Sequence, residues 1–199
     1  MKQMLDDLTV HTLLQAHDYE LKLVTVDGEE FFDMLVSGYE ALCKKNNVQL
    51  TAWNQVKGTY DVNPKQLMRV ADNLMMNAIQ HTPKAQKICF ATLSEASDLG
   101  HWLFEYVRKS YTFNFSKFAY IIVQNEGEGI SEDKIDYLFD PLYQVDQARS
   151  KKDAHGTGLG LSITRQIIEK HGGTVDAISK ENSGACFICS IPKRREKID

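Results

Sequence analysis

The sequence has few of the features that mark secreted, membrane-spanning or nucleic-acid-binding proteins. No apolar run approaches the ~20 residues that a membrane-spanning helix needs, and acidic residues within positions 1–14 argue against a secretory signal. The net charge is −4, whereas nucleic-acid binding depends on a basic surface that meets phosphates. The basic stretch at 193–195 is too short to change that balance. We therefore expect no nucleic-acid partner and no segment inserted in a membrane.

Cysteine is also scarce, and its four copies do not form a metal-binding pattern. Cys186 and Cys189 have the spacing of a C-x-x-C motif, but they lie in a run that is typical of a strand. Side chains at i and i+3 of a strand point to opposite faces, and no second Cys/His pair stands nearby to complete a zinc site. We interpret these two residues, with Cys43 and Cys89, as buried free thiols, which is consistent with a reducing cytosol.

The patterning of apolar residues predicts one α/β domain preceded by a short helix. The 199 residues suffice for a sizeable core, and 43% hydrophobic with 25% charged residues is typical of globular proteins. Apolar residues near the start have helical spacing, with Asp6 and Asp7 on the opposite side, and a short helix is expected after Ser131, capped by its hydroxyl. Longer helices are predicted at 28–45, 64–81 and 158–171, and strands at 48–53, 58–62, 88–93, 119–123, 174–178 and 185–191.

Residues 95–117 fit neither pattern. They are rich in aromatic side chains but have no clean period over their length. A long hairpin that packs on the domain is one interpretation, and a surface that docks a partner is the other.

Two amide side chains on the 64–81 helix are the first candidate site residues. Asn73 and Asn77 are four residues apart and therefore share one face of the helix. Two amides are poorly suited to packing on an otherwise apolar helix, but they suit a role as oxygen ligands for a hard cation such as Mg²⁺ and as phosphate contacts. Because surface asparagine is common, the pair is informative only together with other elements.

Two glycine-rich turns supply those other elements. Gly127 and Gly129 follow a predicted strand, where they let the backbone turn tightly and approach a flat ligand. The turn at 156–161 opens a helix, whose first amides and dipole form an anion site. Arg149 and Lys152 lie just upstream, so a polyphosphate is the expected ligand.

The order and spacing of these elements resemble the histidine-kinase branch of the GHKL (Bergerat-fold) ATP-binding superfamily. The matching segments are 73–82 (N box), 125–130 (G1 box), 138–143 (F box), 145–150 (start of the ATP lid) and 156–161 (G2 box). The resemblance covers about residues 20–192. It implies a two-layer α/β sandwich with about three helices on one face of a mixed sheet of about five strands. Residues 1–19 resemble the end of the second helix of a dimerisation and histidine-phosphotransfer domain with its connector, and 193–199 form a basic tail.

The resemblance implies a bacterial two-component sensor histidine kinase with ATP and Mg²⁺ as cofactors. The γ-phosphoryl group would pass to a histidine on the kinase's own dimerisation domain and then to a response regulator. The intact protein would be a membrane-anchored homodimer of which this chain is a cytoplasmic domain.

The resemblance also assigns roles to single residues. Asn77 is implied as the Mg²⁺ ligand, Asn73 as a neighbour of the phosphates and Asn125 as the residue that faces adenine. The residues implied to contact ATP are Asn73, Asn77, Gln80, His81, Asn125, Gly127, Gly129, Ile130, Tyr143, Arg149, Lys152, Gly156, Thr157, Gly158, Leu159, Gly160 and Leu161. The ATP lid is expected at 140–157.

The sequence departs from the family pattern at several positions. Asn125 stands where an aspartate usually accepts a hydrogen bond from the adenine amino group, and a neutral acceptor forms a weaker bond. Gln80 stands where a basic residue is frequent, and Leu142 replaces an aromatic residue. Asn73 stands where the ATPase branches place a glutamate that activates water, and an amide cannot be that base.

These departures leave two alternatives beside the kinase. One is a GHKL ATPase or a serine kinase of the anti-sigma type. Asn73 argues against the ATPase, and the helix before Leu21 and the kinase-type lid argue against both. The other is a degenerate module that docks a partner without binding nucleotide. The phosphoacceptor pattern, a histidine followed by an acid in the first helix of a hairpin, is matched by neither His11 nor His17. We therefore expect no self-phosphorylation by this chain alone.

Overall fold

The computed structural model describes residues 2–144 and 157–194. Its helices are α1 (Lys2–Gln15), α2 (Gly28–Val36), α3 (Glu40–Lys45), α4 (Pro64–His81), α5 (Glu105–Ser110), α6 (Glu132–Ile135) and α7 (Gly160–Lys170), with a 3₁₀ turn at Ala96–Asp98. Its strands are β1 (Val24–Asp27), β2 (Gln49–Gln55), β3 (Thr59–Val62), β4 (Lys87–Leu93), β5 (Phe118–Asn125), β6 (Val175–Ser179) and β7 (Ala185–Pro192).

Five of the strands form one mixed sheet in the order β2-β4-β5-β7-β6. Strands β2 and β4 run parallel, and every other neighbouring pair in this sheet is antiparallel. Strands β1 and β3 form a separate antiparallel pair. Helices α2, α4 and α7 supply the buried apolar residues that cover one face of the main sheet. The predicted fold class is confirmed.

The opposite face of the sheet is covered by residues 95–117. A second apolar cluster joins Leu103 and Val107 to Tyr120 and Ile188 of the sheet. Gln124 holds this segment in place, because its Oε1 accepts from the Phe104 amide at 2.8 Å and its Nε2 donates to the Trp102 carbonyl at 2.9 Å. The segment contains a 3₁₀ turn and a helix with no strand among its residues, so the hairpin prediction is wrong, while the prediction that it packs on the domain is confirmed.

Local capping explains where several helices begin. The Asp27 carboxylate accepts from the Glu30 amide at 2.9 Å, and the side-chain Oδ1 of Asn63 accepts from the Gln66 amide at 3.0 Å. The hydroxyl of Ser131 makes no such bond to α6, so that predicted cap is wrong. The predicted helix at 28–45 is also wrong in part, since Gly38 at φ +90° lies in a break between α2 and α3.

Helix α1 packs on α7 through a face that the apolar pattern does not predict. Asp7, His11 and Leu14 are buried at spacings of four and three residues. Leu5 and Leu8, from the predicted apolar face, are 61% and 51% exposed. Asp7 was expected on the outer side of the helix, and that expectation is wrong. Among the described helices, none combines the length and the apolar character needed to cross a bilayer.

The two closely spaced cysteines lie on opposite sides of β7. Cys186 belongs to the cluster under residues 95–117, and Cys189 belongs to the cluster under α4 and α7. Burial raises the pKa of both thiols, which are therefore protonated and inert at neutral pH. Free, buried thiols are confirmed for these two and for Cys43, whereas Cys89 is only half-buried.

Candidate functional site

Helix α4 has one buried apolar face and a neighbouring polar face. Leu67, Val70, Leu74 and Ile79 pack into the core, as their spacing predicts. Asn73 and Asn77 are half-buried on the neighbouring face, and His81 follows one turn later. Since α-helices rise 1.5 Å per residue, positions 73 and 81 are ~12 Å apart along the axis.

Asn73 fixes the distance between α4 and the start of α7. Its Nδ2 donates to the Gly160 carbonyl at 2.9 Å, and the Thr164 hydroxyl lies 3.4 Å from the same nitrogen. A Cβ on Gly160 would lie 3.6 Å from Cγ of Asn73, which is ordinary contact. The amide nitrogen therefore links α4 to the start of α7.

Asn77 differs from Asn73 because its side chain makes no hydrogen bond among the described residues. A half-buried amide with both polar atoms unused on an apolar helix is poorly explained by packing alone. Its oxygen is available to a cation. Among residues 2–144 and 157–194, no group of three or more His, Cys, Asp or Glu side chains is arranged to hold a metal. A Mg²⁺ ion bound by one amide oxygen, phosphates and water fits this donor set.

The turn before α7 adjoins this face, because Gly160 at the start of the helix contacts Asn73. Leu159 caps α7 without a side-chain hydrogen bond, so the first N–H groups of the helix have no capping side chain. Gly158 has φ +72°, and its carbonyl accepts from the Leu142 amide at 2.9 Å. A Cβ on Gly158 would lie 3.0 Å from Cα of Leu142. Close approach of the F-box backbone therefore requires glycine here. The helix begins at Gly160, two residues later than predicted.

The other glycine turn meets the far end of α4. Gly127 has φ +147°, and a Cβ there would lie 2.7 Å from the His81 carbonyl oxygen and 3.3 Å from Cδ of Pro83. Gly129, at φ +71°, approaches the Lys180 carbonyl instead. Ile130 follows, and its amide donates to the Ser179 hydroxyl at 2.8 Å. The two glycine turns thus bracket the polar face of α4, one at Asn73 and one at His81.

Asn125 ends β5 in a buried position, at 4% exposure. Its Nδ2 donates to the carbonyl of Glu126 at 3.0 Å. Its Oδ1 makes no hydrogen bond to the described residues and so remains free to accept one from a ligand amino group.

The remaining predicted residues lie around this core in different ways. Gln80 and His81 are exposed at the end of α4, where Thr82 closes the helix by donating to the Ala78 carbonyl at 2.6 Å. Tyr143 is half-buried, and its ring lies 5.8 Å from that of Tyr137. Thr157 and Leu161 flank the turn before α7. Arg149, Lys152 and Gly156, with most of the predicted lid, lie outside the described residues.

Asp7 and Arg69, which the sequence did not indicate as site residues, connect this site to α1. Asp7 contacts the Arg69 guanidinium of α4 at 3.3 Å and the Thr157 hydroxyl at 2.9 Å. The i, i+4, i+7 spacing of Asp7, His11 and Leu14 was the one signal in the sequence that these three residues share a helix face. A stripe with only one apolar member gives no reason to expect burial.

The chain belongs to the family of histidine kinase-, DNA gyrase B- and HSP90-like ATPases, whose model matches residues 62–195. It is similar over its whole length to the sensor histidine kinase WalK of Bacillus subtilis, with 25% identity over 201 residues. The chain spans 30% of the length of that protein.

Two solved structures share the fold. The catalytic domain of histidine kinase ThkA superposes with a TM-score of 0.62 at 24% identity, over 87% of this chain and 97% of ThkA. Full-length ShkA, in complex with AMPPNP, superposes with a TM-score of 0.73 at 19% identity, over 96% of this chain and 35% of ShkA. The chain is thus a histidine-kinase-type ATPase domain of the kind that sensor kinases contain.

Proposed function

We propose that this domain binds Mg-ATP along the polar face of α4 and supplies its γ-phosphoryl group to a histidine of a sensor kinase. The observation that carries the proposal is the bracketing of Asn73, Asn77 and His81 by two glycine turns. Each turn approaches a neighbouring backbone closely, since a Cβ would lie 2.7 Å from the His81 carbonyl oxygen at Gly127 and 3.0 Å from Cα of Leu142 at Gly158. The complex of ShkA with AMPPNP, an ATP analogue, on the same fold supports it.

Different residues would bind the adenine, the Mg²⁺ ion and the phosphates of Mg-ATP. Asn125 Oδ1 would accept from the adenine amino group beside the Gly127 turn, and the unused amide of Asn77 would bind Mg²⁺. The uncapped amides at the start of α7 would hold phosphate oxygens, because they carry the positive end of the helix dipole. Bound Mg²⁺ supplies neutralisation of the charge that develops during phosphoryl transfer.

The role of Asn73 favours transfer of the γ-phosphoryl group to a side chain over hydrolysis of ATP. Its amide nitrogen is committed to the Gly160 carbonyl, and an amide cannot accept a proton from water as a carboxylate does. The chain's own contribution would then be positioning and electrostatics. Transfer to the histidine of a dimerisation domain, relay to a response regulator, a homodimeric state and membrane anchoring belong to the same proposal for the longer protein.

Titration with a fluorescent ATP analogue, with Mg²⁺ and with a chelator in its place, tests the nucleotide site. We expect saturable binding that Mg²⁺ strengthens. Asn77→Ala should remove most of the Mg²⁺ dependence, whereas Met76→Ala, an exposed neighbour on another side of α4, should leave it unchanged. A flat titration would favour the degenerate module that docks a partner without nucleotide.

A further inference from the structure

An open groove of about 1170 Å³ runs beside β6, the strand at one end of the main sheet. Tyr106 and Tyr111 form one wall, from the segment that covers the second face of the sheet. Ile130, Glu132 and Asp133 form the other wall, before and within α6. The floor is residues 176–181. None of the groove's lining residues belongs to α4 or to the turn before α7, and Ile130 alone is shared with the residues assigned to the candidate nucleotide site, so the groove lies beside that site.

The floor of the groove presents backbone groups that no strand uses. The Ser190 amide donates to the Thr174 carbonyl at 2.9 Å, and the Lys180 amide donates to the Gly184 carbonyl. Because hydrogen-bonded pairs alternate in an antiparallel ladder, the even-numbered residues of β6 bond to β7. The N–H and C=O groups of Ala177 and Ser179 therefore point to the outer edge. Among the described strands, β7 alone pairs with β6 in the sheet.

The charge around this edge is predominantly negative. Four acidic side chains line the groove, and Lys180 is the single basic residue in the same lining. The acids are Glu132, Asp133, Asp176 and Glu181. Two lie on the α6 wall and two at the ends of the floor, so an extended chain in the groove would meet negative charge on the side that faces α6.

We propose that β6 is a docking edge for an extended segment of another protein with lysine or arginine at alternating positions. The segment would add to the sheet as a further strand through the outward groups of Ala177 and Ser179. Its charged side chains would meet Glu132 and Asp133 on the α6 wall, and Ile130 with Tyr111 would contact its aliphatic parts. A second copy of this chain fits less well, since the opposite sheet edge, β2, contains no charged residue to match the groove.

Fluorescence anisotropy with a labelled peptide of alternating lysine and valine tests the proposal. We expect saturable binding, and no binding of the peptide in which glutamate replaces lysine. N-methylation of alternate peptide bonds keeps the charge but removes the donors on one edge. It should weaken binding about tenfold or more, because at least two hydrogen bonds of ~1 kcal/mol are lost. If the methylated and unmethylated peptides bind equally well, charge alone explains the binding and the proposal is wrong.

Variants of the chain make the test specific to this edge. Ala177→Pro removes one outward N–H without removing a bond to β7, a position where edge strands tolerate proline. It should weaken peptide binding severalfold. The double change of Glu132→Gln with Asp133→Asn should do the same without touching the strand. Asp136→Asn, an exposed acid just after α6 that does not line the groove, should have no effect. Absence of peptide binding, or self-association in sedimentation that peptide does not reverse, would reject the proposal.

Discussion

The Asp7 carboxylate accepts a hydrogen bond from the Thr157 hydroxyl at 2.9 Å, although the two residues are 150 positions apart. The other carboxylate oxygen lies 3.3 Å from the Arg69 guanidinium. Thr157 also accepts from the Leu159 amide at 3.3 Å, just before α7 begins. One buried carboxylate thus joins α1 to α4 and to the turn that we assign to phosphate binding.

Replacement of Asp7 tests how much this junction contributes to stability. Asp7→Ala leaves the Arg69 charge and the Thr157 hydroxyl without their partner in a largely buried place. We expect the free energy of unfolding to fall by about 1–3 kcal/mol, measured by urea denaturation. Asp6→Ala, which changes an exposed acid on the same helix, should shift it by less than ~0.5 kcal/mol. Equal effects of the two changes would show that Asp7 is not part of a buried contact.

A second prediction compares two causes of lost stability when a glycine with positive φ is replaced: backbone strain alone, and backbone strain together with a steric clash. Gly127→Ala introduces a Cβ 2.7 Å from the His81 carbonyl, whereas Gly38→Ala at φ +90° meets nothing within 4 Å. The change at Gly38 should cost about 1 kcal/mol for the left-handed backbone alone. The change at Gly127 should cost more, and it should also weaken nucleotide binding. If thermal unfolding shows the same loss for both variants, the contact between this turn and α4 is not tight.

The asparagine at the end of β5 gives a third prediction. Asn125→Asp places an ionised, buried acceptor where the amide now donates to the Glu126 carbonyl, so the unliganded variant should unfold at a lower temperature. Bound adenine would supply a donor to that carboxylate, and charge-assisted hydrogen bonds are the stronger ones. The rise in melting temperature on adding Mg-ADP should therefore be larger for the variant than for the wild type. An equal or smaller rise would argue against contact between residue 125 and the adenine amino group.

His171 gives a prediction for the pH dependence of stability. Its Nε2 accepts from the Asn63 amide at 3.0 Å, which requires the neutral ring, and its Nδ1 then donates to the Ile167 carbonyl at 2.7 Å. Burial lowers the pKa of His171 below its ordinary value of 6.5, against the opposing effect of the Ile167 carbonyl.

As the pH falls, the unfolded chain therefore protonates His171 at a higher pH than the folded chain does. The contribution of His171 is fully present above pH 6.5 and is lost as the pH falls from there through the folded-state pKa. Urea denaturation between pH 5 and 7.5 should show a steeper fall in stability for the wild type than for His171→Gln. Parallel curves would contradict the assignment of the neutral, doubly bonded ring.

The parts of the fold that the sequence predicted are those whose causes are local. Helix α4 follows from the Asn63 cap, the proline after it and the buried apolar stripe, and its end follows from Thr82 and Pro83. The strands follow from short runs of β-branched and aromatic residues. The two glycine turns were predicted because the residues around them form recognisable boxes within a few positions of each other.

The parts that could not be predicted depend on distant partners. The buried face of α1 is defined by Arg69 and Thr157, which lie 62 and 150 positions from Asp7. The break at Gly38 interrupts an apolar face that continues through α2 and α3, so the spacing alone indicated one helix. Residues 95–117 pack as an irregular cover held by Gln124, and a cover of this kind has no period to detect.

The aromatic cover on the second face has a consequence for measurements on this protein. Strands β5 and β7 are enclosed by apolar clusters on both sides and by neighbouring strands on both edges. Their amides should exchange with deuterium only when the whole domain opens. The exchange rate of these amides therefore measures global unfolding. Faster exchange in α1 or near the start of α7 would show that those elements open locally.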